Sequence, residues 1–337
     1  MKNLVALFFS FIFIVTVYGQ NKFLEDIVSQ GTQLHDEGKY DEAIEKYKEA
    51  LKIDPNSTIA NYEMSFTYFT TEKWEEAIIY SQKVIKLKGN NQYEAFIVLG
   101  NSLDMLGNSE KAIKTYEQAL KKFPKSNLLN YNLALSLYNQ GDLKKAEKAA
   151  INAILAKPTH GSSHLLLSAI MKKRGERVKS ILPIYYFLMI EPKSKRSNSN
   201  YMTLTTKLGV GVVQKDEKNI NITIPSLKGT DSEFGAVEIM VSMLAASKYL
   251  EENMGKSEMQ LFIDTNKSLF SVLNELKRKN KGFWWDFYVT KLYALVESNN
   301  IEAFSYHISQ SANNNDVAKW ISENASKMKN LMDWLEK

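Results

Sequence analysis

His160 and His164 stand four residues apart, a spacing that brings two imidazoles onto one face of a helix, where they could ligate a metal. No carboxylate and no third histidine falls within the next turn, so the pair lacks the remaining ligands. It reads instead as a turn residue followed by an exposed or groove-lining one. His35 and His307 complete the set of four histidines. The chain has no cysteine, which excludes disulfides, thiol catalysis and thiolate metal sites. A serine hydrolase of the nucleophile-elbow type needs Gly-x-Ser-x-Gly, which does not occur. Gly209-Val-Gly211 lacks the third glycine of a dinucleotide loop. Aspartates and glutamates fall on helix surfaces, where pairing with a lysine one turn away is their ordinary role. No catalytic, cofactor-binding or metal-ligating residue is assigned, and no cofactor is expected.

Basic residues Lys277, Arg278, Lys279 and Lys281 directly precede the aromatic run Phe283 to Tyr288. Cations beside stacked rings can hold nucleic acid. Cations are also favoured at a helix C-terminus, and the rings then fill the core of the following helix. The second account is preferred. The net charge of +5 is mild for 337 residues, and nucleic acid is not an expected partner.

The elements that would position any site begin after a leader. Lys2 supplies a positive start, Leu4 to Val17 is almost wholly apolar, and Val17-Tyr18-Gly19 offers small residues for cleavage after Gly19. This is the pattern of a secretory signal peptide over 1–19. A membrane anchor is the alternative reading, disfavoured because the run is shorter than the about 20 residues that span a bilayer; no other segment is expected to span one, so no stable membrane insertion is expected after cleavage. The mature protein is expected to be exported, periplasmic or secreted.

From Leu24 a unit of about 34 residues recurs, over 24–57, 58–92, 93–126, 127–160 and 161–194. The third copy is the cleanest. Gly100, Leu103, Gly107, Ala112, Tyr116, Ala119, Leu120 and Pro124 fall at the offsets held in the first by Gly31, Leu34, Gly38, Ala43, Tyr47, Ala50, Leu51 and Pro55. The second copy departs: Ser65 replaces the small glycine and Gly89 stands in the place of proline. The physics is consistent. Small residues let two helices approach closely, a glycine allows a left-handed turn between them, and proline follows the second helix, which it cannot continue. One such pair cannot bury its apolar face alone, so neighbours must stack.

This pattern resembles the tetratricopeptide repeat family over roughly half the chain. The resemblance implies an all-α fold, a right-handed α-solenoid of antiparallel helix pairs whose concave groove is lined by the first helix of each pair. It also implies an adaptor rather than an enzyme, binding a peptide or helix of another protein. On that geometry the groove presents Tyr62, Phe66 and Phe69 from the second repeat and Ile97, Asn101 and Asp104 from the third. Tyr131, Leu135, Tyr138 and Asn139 follow from the fourth, and Leu165, Ala169, Lys172 and Lys173 from the fifth. Some family members clamp a C-terminal carboxylate with lysines; here Tyr, Ile, Tyr and Leu hold those places. A largely apolar partner is therefore expected.

Residues 195–337 read as a mostly helical region with a minor β-hairpin, loosely resembling extensions of exported tetratricopeptide proteins of the Bacteroidetes group. Lys193 to Asn200 is a polar break. Ile220, Ile222 and Ile224 alternate as a short strand stopped by Pro225, with Val210 to Val213 as its partner. Helices are expected around Tyr201, Leu204 and Leu208, along a stripe of Ala236, Ile239, Met240, Met243 and Leu244, and around Leu269, Phe270 and Leu273. Others follow from Phe283 to Ser298, Ile301 to Ser311 and Asp316 to Leu335. The preferred function is an exported interaction scaffold. The alternatives are a structural subunit of an envelope assembly that uses Trp320 and Trp334, and an enzyme built around His307 or paired carboxylates.

Overall fold

The computed structural model describes residues 22–214, 219–223 and 232–336. The expected signal peptide, and Ile224 and Pro225 of the expected strand, lie outside the described residues. The fold is all-α with one two-stranded sheet, as the periodicity predicts. No helix of the described residues is long and apolar enough to cross a membrane. Two compact units are distinguished, one through Asp142 and one from Leu143.

The first unit is a series of helices in antiparallel succession: α1 (22–36), α2 (Tyr40–Ile53), α3 (Thr58–Thr70), α4 (Trp74–Leu87), α5 (Gln92–Met105), α6 (Ser109–Lys122) and α7 (Asn127–Gln140). Their starts are set by local chemistry. Ser57 Oγ accepts from the Ala60 N–H at 3.3 Å, and Ser126 Oγ accepts from the Leu129 N–H at 3.1 Å. Each satisfies a donor that has no partner inside its helix. Asn61 Nδ2 donates back to the carbonyls of Ser57 and Pro55, and Asn130 Nδ2 to that of Ser126, which fixes each inter-repeat loop on the helix it precedes.

Close approach within a pair depends on the glycines. A Cβ on Gly31 would lie 2.5 Å from the Tyr47 ring, and one on Gly100 would lie 2.3 Å from the Tyr116 ring. Both rings are completely buried. The turns between paired helices are left-handed at Gly38, Gly107 and Gly141, with φ of 78°, 75° and 95°. In the second repeat the same place is taken by Glu72 at φ 59°. A side chain with a Cβ resists this conformation by about 1–2 kcal/mol.

In the second unit, α8 (Leu143–Ala156), α9 (Gly161–Lys173) and α10 (Arg177–Ile190) continue the pattern, with a left-handed turn at Gly175. They are followed by α11 (Ser197–Gly209), β1 (Val212–Gln214), β2 (Ile220–Ile222), α12 (Gly235–Ser247) and α13 (Glu258–Lys277). A π-helical segment Trp284–Val289 leads into α14 (Thr290–Glu297), then α15 (Ile301–Ile308), α16 (Asn315–Glu323) and α17 (Ala325–Leu335). The strands pair antiparallel with Val212 opposite Ile222, the expected partner segment. Almost every side chain of α10 is buried, including those that would face solvent on a terminal helix. The C-terminal helices cover it. Tyr185 donates to Asn266 Oδ1 at 2.6 Å, Asn266 Nδ2 donates to Ser305 at 3.0 Å, and His307 Nε2 donates to the Met189 carbonyl at 3.0 Å.

Three expectations for this region are corrected. The polar break at Lys193 to Asn200 is not an open connection. Arg196 pairs with Glu191 at 2.7 Å, bonds Ser162 and lies over the Phe187 ring, and α11 already begins at Ser197. The buried face of α12 is not the stripe of Ala236, Ile239, Met240, Met243 and Leu244 but Val237, Glu238, Val241, Ser242 and Ala246. A carboxylate turns that helix. Glu238 accepts from Arg177 Nε at 2.9 Å and from the Val178 N–H at 2.7 Å, inside the protein. Asp316 to Leu335 is two helices, broken at Asn324, whose Nδ2 donates to the Trp320 carbonyl.

Two substitutions test these readings by denaturant titration of the full chain. Glu72→Gly should raise stability by about 1 kcal/mol, because glycine adopts the left-handed turn without strain. Glu238→Ala should cost about 3–5 kcal/mol by leaving the Arg177 guanidinium buried without its partner.

Candidate docking face of the first helices

The first helices of successive pairs in the first unit touch one another through polar side chains. His35 on α1 hydrogen-bonds Thr67 Oγ1 on α3 at 2.8 Å, and its ring stacks on Phe66 at 5.1 Å. Asn132 Nδ2 on α7 donates to Asn101 Oδ1 on α5 at 3.2 Å, and Ser136 on α7 donates to Asp104 on α5. Tyr116 on α6 passes the space left by Gly100 and donates its hydroxyl to the same Asn101 oxygen at 2.6 Å. α1, α3, α5 and α7 therefore present one connected face.

The expected groove residues in this unit divide by exposure. Phe66 and Leu135 are each 37% exposed, which makes them accessible anchors, and Asn139 is open to solvent. Tyr62, Phe69, Ile97, Asn101, Tyr131 and Tyr138 are half-buried. Tyr62 stacks on Phe66 at 6.2 Å, and Phe69 meets Trp74 edge-on at 5.1 Å. The aromatics thus serve partly as packing between helices and partly as surface. Met105 and Leu128, on the same helices, are 60% and 40% exposed and were not among the expected contacts.

Of the carboxylates of this face, sequence reasoning placed Asp104 but missed Asp36, Glu63 and Glu94. Glu63 is half-buried beside Tyr62, and its carboxyl is raised by burial and then by the nearby charge of Asp36. The Tyr62 hydroxyl is pushed up to about 12 by burial, with Glu63 and Glu94 adding to the shift. Burial also raises Asp104, against the lowering effect of the Ser136 and Ser109 hydroxyls. None of Asp36, Glu63, Glu94 and Asp104 forms an ion pair with a described residue. A signal was present: between Phe23 and Gln140 the first helices contain no lysine and no arginine, while every second helix contains lysines.

The remaining candidates have packing roles. His164 Nε2 donates to the Pro158 carbonyl at 2.8 Å, which leaves Nδ1 to accept from the Tyr288 hydroxyl at 2.7 Å. Burial lowers its pKa to about 4, so the ring is neutral at pH 7. Its place in the repeat is that of Asn61 and Asn130, and it latches the loop as they do. His160 precedes α9 and bonds Ser163. His307 is buried, held by the Met189 carbonyl and by Gln310. Trp284, Trp285 and Tyr288 of the aromatic run are core. Trp320 stacks on Tyr306 at 3.8 Å and Trp334 lies under Lys291, so both tryptophans pack within the C-terminal helices. In the fifth pair Leu165 and Ala169 are half-buried, while Lys172 and Lys173 are exposed. Among the described residues no group of three His, Cys, Asp or Glu side chains is arranged to hold a metal.

The raised carboxyls carry a pH signature. A carboxyl raised by folding stabilises the fold most when protonated. Its contribution is fully present below the ordinary carboxylate range, about pH 4, and is lost as pH rises through the raised folded value. Combining Glu63→Gln with Asp104→Asn should therefore raise the denaturation midpoint at pH 7 relative to the parent chain. The difference should narrow at pH 4, as read by chemical denaturation at the two pH values.

Comparison with known proteins finds the repeat in the sequence. A profile described as TPR repeat matches residues 31–72, and one described as tetratricopeptide repeat matches residues 97–161. A TPR repeat-containing protein of Methanocaldococcus jannaschii is 31% identical over 104 residues, covering 31% of this chain and 18% of that one. The BBSome complex member BBS4 of Xenopus tropicalis is 31% identical over 108 residues, covering 32% of this chain and 21% of its own length. The chain thus spans about a fifth of the length of these relatives. Among solved structures, YrrB, described as a TPR protein with an unusual peptide-binding site, is 18% identical with a TM-score of 0.45, covering 56% of this chain and 97% of that one. MamA is 25% identical with a TM-score of 0.45, covering 48% and 94%. Residues 31–72 and 97–161 match tetratricopeptide-repeat models, and the helices up to α10 recur at the same spacing.

Proposed function

We propose that this chain is an exported interaction scaffold that docks a peptide or helix of a partner protein on the first-helix face of its first unit. Tetratricopeptide-repeat proteins generally mediate interaction between proteins, and the fold is typically a non-enzymatic scaffold. The observation that carries the reading is the accessible apolar surface of Phe66 and Leu135 within a row of half-buried aromatics. Accessible apolar side chains on a face built of aromatics suit an apolar partner, and aromatic anchors dominate the binding energy of interfaces. Export rests on the apolar leader before Gln20.

A photo-crosslinking side chain placed at position 66 or 135 tests the reading in the intact cell. It should yield an adduct with one discrete protein, and the same group at Lys121, exposed on α6, should not. Phe66→Ala with Leu135→Ala should weaken retention of that protein about 30-fold or more, the loss of a strong anchor. Equal capture from position 121, or retention unchanged in the double variant, would refute the proposed face.

A further inference from the structure

The docking face of the first unit is aromatic, but it is not electrically neutral. α3 carries Glu63, α5 carries Glu94 and Asp104, α7 carries no charge, none of the three has a cation, and α1 contributes Asp36 at its C-terminal end. α2, α4 and α6 each carry at least two lysines. From α2 to α7 lysine is thus confined to the second helices, where carboxylates are nearly as numerous. Ordinary surface pairing does not account for this. The glutamates of α2 are answered by lysines one turn away, Glu45 by Lys48 at 2.7 Å and Glu49 by Lys46 at 3.1 Å. The carboxylates of the first-helix face have no such partners among the described residues.

Their arrangement follows the row of helices. Asp36 and Glu63 act on each other electrostatically across α1 and α3, and Glu63 and Glu94 both act on Tyr62 across α3 and α5. Asp104 lies at the α5–α7 contact, where Ser136 donates to Oδ2 while Oδ1 is buried and accepts nothing. Like charges on adjacent helices repel, and partial burial adds a desolvation cost to each. A surface that keeps them together is relieved by a ligand that brings positive charge.

We propose that the occupant of this face is a cationic amphipathic peptide segment of a partner protein, with lysine or arginine side chains that meet Glu63 and Asp104 and apolar side chains that meet Phe66 and Leu135. The inference rests on the docking function proposed above and adds the chemistry of the partner. Anionic partners are disfavoured by the same field, which includes nucleic acid and the head groups of acidic lipids.

The test uses the full mature chain and two fluorescein-labelled amphipathic peptides, one of leucine and lysine and one of leucine and glutamate, followed by fluorescence anisotropy. The lysine peptide should bind and the glutamate peptide should not, with affinity falling as salt is raised. Glu63→Gln with Asp104→Asn should weaken the lysine peptide at least about tenfold, since a charge-assisted contact contributes on the order of 1.5 kcal/mol or more. The double variant's thermal midpoint, no lower than the parent's, shows that the fold is intact. Binding of both peptides with equal affinity, or of the lysine peptide unchanged by the double variant, overturns the cationic partner. If Phe66→Ala with Leu135→Ala still abolishes that binding, the docking face itself survives. Lysine-peptide binding insensitive to both pairs of variants lies elsewhere on the chain and overturns both proposals, and no binding of the lysine peptide overturns the cationic partner.

Discussion

The first unit depends on how closely the two helices of a pair can cross. At Gly31 and Gly100 the crossing leaves no room for a Cβ, because the rings of Tyr47 and Tyr116 occupy that space. Each fully buried ring contributes about 2 kcal/mol of apolar burial, and it does so only because its neighbour on the first helix has no side chain. The second pair solves the same crossing with small residues on both helices, Ser65 with Ser81, both buried. The Tyr116 hydroxyl then reaches Asn101 beyond the crossing. A packing constraint inside the pair thereby fixes a side chain on the outer face.

In the second unit the corresponding constraint is electrostatic. Glu238 and Arg177 are buried together, and Glu238 also accepts from the Val178 N–H at the start of α10. Lys179 lies between the rings of Phe234 and Trp284 and pairs with Glu176 at 3.3 Å. Buried pairs of this kind return little net stability once desolvation is counted. What they determine is register: an apolar face can slide on another, whereas a carboxylate that must meet one guanidinium and one N–H cannot. This is why α12 settles with Glu238 inward, although its apolar residues alone describe a different stripe.

The repeats were legible because they depend on local spacing. A glycine at the turn, a small residue at the crossing and a proline after the second helix act within one unit, and the observed helices begin and end where those residues place them. Glu72 shows the limit: its neighbours hold the left-handed turn although its own type argues against it. The C-terminal helices were legible as helices but not in their facing. Glu238 meets Arg177 across 61 residues of chain, and no periodicity within α12 encodes that partner. His164 carried the same ambiguity. Its spacing from His160 suggested a ligand, but its position in the repeat, shared with Asn61 and Asn130, was the better guide to a hydrogen bond with the preceding loop. The docking face was half legible. Its aromatics and Asp104 followed from the repeat offsets, while its other carboxylates were hidden among ordinary surface charges.

They were hidden because composition averages over surfaces that never meet. The chain as a whole is positive, at +5, and that value speaks only of its distant field. Within a few ångströms of the surface the relevant quantity is the charge on one row of helices, since screening limits exposed charges to about 8–10 Å. Along α3 and α5 that charge is negative and α7 adds none, while the lysines of α2, α4 and α6 stand among nearly as many carboxylates of their own. The crossing that separates the two helices by a glycine and a ring also keeps the carboxylates of the first helix apart from the lysines of the second. A chain that is cationic in bulk can thus be anionic along one row of helices, and the charge of a partner docked there is to be read from the first helices.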